Sequence, residues 1–136
     1  MDPAQVFANI NWLAVVVAAL AAFPIGALWY GPLFRSAWMA ATGVTFEQGR
    51  QANPLKLYGS TFVLNLIISM SLAMFIGKGN VHAGLFAGFM AGATFVATAL
   101  GVTSLFEFKS FKYWAINAGY QVVFFTVAGA IIGAWH

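Results

Sequence analysis

Charged residues are so sparse in this chain that they act as punctuation between long apolar runs. Asp2 and Arg35 bound 32 uncharged residues (3–34), and Lys56 and Lys78 bound 21 (57–77). Lys78 and Glu107 bound 28 (79–106), and 24 more (113–136) follow Lys112. About 20 residues at 1.5 Å each cross the hydrocarbon core of a bilayer. The pattern therefore predicts four transmembrane helices, over roughly 10–30, 57–77, 82–106 and 113–135, within a single transmembrane domain, 1–136. Helices satisfy their own backbone groups in lipid, whereas the strands of a β-barrel would be shorter and would alternate apolar with polar residues. The expected class is all-α integral membrane, four spans in a bundle.

Smaller signals refine the runs. Pro24 falls inside the first span and is expected to kink it. In the long first loop, Leu33, Phe34, Ala37, Trp38 and Ala41 recur at helical spacing with Arg35 and Ser36 off that face, which predicts a short helix lying in the interface. Thr45 and Gln48 fit a capping box. Helices in lipid associate through small residues and a few hydrogen bonds, since lipid leaves them no hydrophobic reason to meet. Such residues recur every four positions: Ala14, Ala18, Ala22 and Gly26 in the first span, and Gly84, Gly88 and Gly92 in the third. The fourth has Gly129 and Gly133, with Gly119 read as in line with them. The double GxxxG of the third span fits a contact within one subunit and an oligomer interface equally well.

Polar residues also fall in lines. Thr61, Asn65 and Ser69 follow one face of the second span, Thr94 and Thr98 one face of the third, and Asn117 and Gln121 one face of the fourth. Asn65, Thr98 and Gln121 are each eight residues from the same membrane face, about 12 Å deep. The expectation is one buried polar cluster. Such a cluster serves either as interhelical glue or as the lining of a path for a polar solute.

Composition supports lipid as the main solvent. The chain of 136 residues is 62% hydrophobic and 7% charged, against about 25% charged in a soluble domain. It has no cysteine, which excludes disulfides and thiolate chemistry. Charge then predicts orientation: Arg35, Arg50 and Lys56 in the first loop and Lys109 and Lys112 in the third face only Lys78 on the other side. By the positive-inside rule the long first loop is cytoplasmic and both termini lie outside, periplasmic for a bacterial inner membrane. Trp29, Tyr30, Tyr58, Tyr113 and Trp114 at one set of span ends, and Trp12 and Trp135 at the other, suit aromatic belts. The first run is too long for a signal peptide and is preceded by Asp2 rather than a basic residue, despite a cleavage-like Ala19-Leu20-Ala21.

Candidate chemistry is thin. No Asp, Glu, Lys or Arg lies within a span, although ion-coupled transporters usually keep one there. Glu107, Lys109 and Lys112 read as the cytoplasmic turn, with Glu107 expected to pair with Lys109, Lys112 or Arg35. His82 and His136 have no partner at metal-ligand spacing. There is no GxSxG, HExxH, phosphate loop or carboxylate pair. The expectation is no catalytic residue, no metal, no cofactor and no nucleic-acid partner.

Three stretches, `INWLAVVVAALAAFPIGALWYGPLFRSAWM` (10–39), `ANPLKLYGSTFVLNLI` (52–67) and `FEFKSFKYWAINAGYQVVFFTVAGAIIGAW` (106–135), carry a resemblance. Asn11-Trp12, the run Trp29 to Phe34 with Trp38, Phe106-Glu107 and Asn117 to Tyr120 are its most specific parts. The chain resembles a family of small bacterial four-span membrane proteins known only as domain of unknown function 1761. The resemblance implies a bacterial inner-membrane protein and no activity. It draws interest to Asn11, Trp29, Glu107 and Asn117 without giving them roles. Two functions are then expected in order. One is a non-catalytic helix-packing module, self-associating or docked on a larger membrane complex. The alternative is an oligomeric channel or carrier for a small polar solute.

Overall fold

A computed structural model describes residues 2–135. Four helices are long and apolar enough to cross a membrane: Trp12–Leu33, Pro54–Ile76, Val81–Phe106 and Phe111–Ala134. Their starts are set by capping side chains, each satisfying an orphan N–H of the first turn. Asn11 accepts from Ala14, Asn53 from Leu55 and Lys56, Asn80 from Ala83, and Ser110 from Tyr113. Pro54, free of an N–H to satisfy, occupies the first position of the second span. These caps shift the expected boundaries by up to three residues.

Shorter helices fill the rest. Pro3–Ala8, not anticipated from the hydropathy pattern, is capped by Asp2. Arg35–Thr42 forms in the long loop and ends at Gly43, whose φ of 77° suits a residue without a Cβ. Phe46–Gln51 opens with the expected capping box of Thr45 and Gln48. The first span stays helical through Pro24. Its irregularity comes later, in a π turn over Trp29–Leu33 where Gly31 leaves helical geometry one residue before Pro32. A second π turn, Ala91–Val96, interrupts the third span.

The first, second and fourth spans share a core of Val15, Ala18, Ala22, Leu72, Ala73, Ile76, Phe124, Ala128 and Ile132. Ala14, Ala18 and Ala22 are fully or almost fully buried, and Gly26 leaves room for the ring of Tyr120. The third span lies against the fourth through backbone contact. A Cβ on Gly84 would overlap the carbonyl of Gly129, one on Gly88 that of Phe125, and one on Gly133 that of Asn80. The double GxxxG is thus occupied within the chain. Gly119 does not belong to this seam, as its missing Cβ makes space for the Trp29 ring of the first span. Ten residues at 3.6 per turn leave Gly119 about 80° away from Gly129, so apparent alignment at heptad spacing drifts off the face.

Candidate binding site

The seam holds together the halves of the third and fourth spans nearest Asn80, and bulkier residues replace glycine toward the end that carries Arg35, Lys109 and Lys112. There the two spans enclose a cleft of about 280 Å³. Its walls include Tyr30, Glu107, Tyr113, Trp114, Asn117 and Gln121, with Thr103, Ser104 and Tyr120 beside them. Gly92, whose Cβ would stand 3.0 Å from Val122 Cα, closes the interface a turn beyond Gln121. The cleft is therefore blind.

Each wall residue is placed by an identifiable contact. Tyr30, on the π turn, donates its hydroxyl to Asn117 Oδ1 at 2.8 Å and lies 5.3 Å from the Tyr120 ring and 5.4 Å from that of Trp38. The Tyr120 hydroxyl donates to the Ala22 carbonyl at 3.0 Å. Trp114 Nε1 donates to the Ala97 carbonyl at 2.8 Å, reaching it over Gly101. Trp29 Nε1 donates to the Ile116 carbonyl at 2.8 Å. Four residues of two aromatic types, tyrosine and tryptophan, thus tie neighbouring spans together. Trp29, Tyr30 and Trp114, expected as belt residues, also bind neighbouring spans. The missed signal is chemical: an N–H or O–H in an apolar setting needs an acceptor, and a nearby backbone carbonyl supplies one.

The expected polar cluster is divided. Asn117 and Gln121 face the cleft, where the Gln121 amide has no hydrogen-bond partner among the described residues. Asn65 and Ser69 are buried elsewhere in the bundle, and Asn65 Nδ2 and Ser69 Oγ have no partner among the described residues. Thr61 donates to the Leu57 carbonyl of its own helix. Thr94 and Thr98 are exposed and donate back to the Met90 and Thr94 carbonyls. The expectation fails in direction. Two residues turn a helix through roughly 200°, so a threonine at 94 points away from the fourth span that Gly92 touches.

Glu107 also departs from expectation. Among the described residues the one ion pair is Arg50–Glu47, at 3.9 Å, and Glu107 has none. Arg35 lies over the Phe46 ring at 5.2 Å and Lys109 over that of Tyr113 at 5.4 Å. The turn 107–110 explains this: Phe108 takes a left-handed φ of 57°, and the Lys109 N–H bonds the Ser104 carbonyl at 2.9 Å. Lys109 is thereby directed onto the ring rather than the carboxylate. Among other candidates, His82 is exposed at the start of the third span, and His136 lies outside the described residues.

Four long apolar helices with a polar cleft at one end define a multi-pass helical membrane protein. The chain matches over residues 13–133 the model of the family described as "Protein of unknown function (DUF1761)", and it belongs to that family. No curated protein and no solved structure matches it.

Proposed function

We propose that this is a non-catalytic protein of the bacterial inner membrane that binds a small polar solute in the cleft between its third and fourth spans. The observation that carries the reading is the set of polar groups lining it, Gln121 within and Glu107 exposed at its rim, neither paired with another side chain among the described residues, in a blind space of about 280 Å³. Small-molecule sites are concave, largely preformed and set with a few polar groups among apolar walls. A volume just below the usual range suits a small solute. The closure at Gly92 favours a receptor or carrier over an open channel. One carboxylate without a second acid or a histidine beside it is a poor acid–base set, which supports the absence of catalysis.

Arg35, Arg50, Lys56, Lys109 and Lys112 support a cytoplasmic position for the basic end, with both termini outside and the helix Arg35–Thr42 at the inner interface. Partners are the lipid bilayer and the solute. With the glycine seams occupied inside one chain, association with further copies or other subunits would use different surfaces.

The test is a thermal-unfolding screen of the detergent-purified protein against amino acids, polyols, amines and short carboxylic acids. A bound solute at one hundred times its Kd stabilises the fold by about 2.7 kcal/mol. At least one class is expected to raise the midpoint of the wild type and not of Gln121→Leu. A flat response across the panel, with a stoichiometric membrane-protein partner recovered from native membranes, would replace this reading by an accessory-subunit role.

A further inference from the structure

We propose that the solute is an organic ammonium ion, held by the Glu107 carboxylate among the aromatic rings of the cleft. The inference rests on the reading that the cleft binds a solute, and it names the chemistry of that solute. Glu107 is the one charged side chain lining the cleft, and no cation of the described chain neutralises it by an ion pair. An anionic solute would meet this carboxylate without a lysine or arginine on the walls to hold it. A hard inorganic cation such as Ca2+ takes six to eight oxygen ligands and gathers several carboxylates. A single carboxylate beside Tyr30, Tyr113, Trp114 and Tyr120 is a different donor set. Aromatic faces attract ammonium groups through the ring quadrupole, at solvent-exposed sites as well as buried ones.

The molecule already makes one such contact with its own cation. Lys109 Nζ lies 5.4 Å from the centre of the Tyr113 ring, within the distance at which an ammonium is attracted to that ring. A solute ammonium in the cleft would lie near this lysine, which is itself outside the cleft lining, and the two like charges would repel. The Gln121 amide, unpartnered, offers a further acceptor for the N–H groups of a protonated amine. Asn117 is less available as an acceptor, since its Oδ1 already receives the Tyr30 hydroxyl.

Isothermal titration calorimetry on the full-length protein in detergent tests this. The probes are choline, ethylammonium, propionate and the neutral carbon analogue of choline in which carbon replaces the nitrogen. Either cation is expected to bind saturably and at least about tenfold more tightly than the neutral analogue. Glu107→Gln is expected to weaken it about tenfold or more and Glu107→Asp to keep the preference for charge. Lys109→Gln is expected to tighten cation binding about two- to fivefold at low salt, because a competing charge is removed. The comparison of choline with its neutral analogue needs no variant and survives any folding defect. Equal binding of the two, tighter binding of propionate, or weaker cation binding in Lys109→Gln would overturn the ammonium assignment while the cleft remained a solute site. Binding of another solute class, abolished by Gln121→Leu, with no response to either cation, would overturn it in the same way. No binding by any probe or by any member of the solute panel would overturn both readings together.

Discussion

Tyr30 shows how one side chain positions another across a distance of 87 residues in sequence. Its hydroxyl fixes Asn117 Oδ1 at 2.8 Å, leaving the rest of that amide turned toward the cleft. Interhelical hydrogen bonds in membrane proteins contribute about 0.6 kcal/mol and seldom above 2. Tyr30→Phe is expected to destabilise the protein by that amount, and the loss should vanish in an Asn117→Leu background. A double-mutant cycle of unfolding in mixed micelles checks the coupling. Ser69 presents the reverse case. It is completely buried with no partner for Oγ among the described residues, and a buried unpaired polar group costs about 1–3 kcal/mol. Ser69→Ala is expected to leave the fold intact and to raise its stability by about 1 kcal/mol, measured in the same way. A loss of stability would mean that Ser69 has an acceptor or a bound water in the membrane.

At the scale of elements, the seam between the third and fourth spans decides how the cleft is shaped. Gly84, Gly88, Gly129 and Gly133 bring two backbones into contact, and any Cβ there meets a carbonyl that cannot yield as a flexible side chain would. Gly84→Ala is expected to cost about 1–3 kcal/mol, as overpacking does, and Gly88→Ile more. Gly59→Ala, where nothing stands within 4 Å, serves as the control and should change little. Unfolding midpoints in detergent give both values. The GxxxG spacing made this seam legible in the chain, because four residues bring a helix back to nearly the same face. It did not reveal the partner helix, since a small-residue face fits a neighbour in the same chain or in another. The threonines illustrate the same limit. Thr98 was matched in depth to Asn65 and Gln121, with Thr94 on its face, yet both threonines lie on the exposed side of the third span and satisfy themselves on their own helix.

For the whole molecule, charge asymmetry and the blind cleft each carry a prediction. The chain has no cysteine, so single cysteines report position cleanly. Ser110→Cys, in the third loop, is expected to react with a membrane-impermeant maleimide only after cells are opened, and His82→Cys in intact spheroplasts. The reverse pattern would invert the orientation drawn from the basic loops. Because Gly92 and Val122 close the cleft, the reconstituted protein is expected to show no steady ionic conductance in a planar bilayer. A sustained current would require a continuous path, and with it a different arrangement of the third and fourth spans.

Medium, number of crossings and the basic loops were written in the chain itself. They depend on sums over many residues, namely run length, scarcity of charge and the side on which lysine and arginine accumulate, and no single contact alters such sums. Tertiary structure alone decided which groups share a space. It placed Tyr30 on Asn117, Trp114 on the Ala97 carbonyl and Lys109 on Tyr113, leaving Glu107 without an ion pair. Periodicity reports height along a helix and direction relative to its own axis. The rotation of one helix against the next is set by close packing, here by glycine on glycine and by two π turns that no hydropathy pattern records.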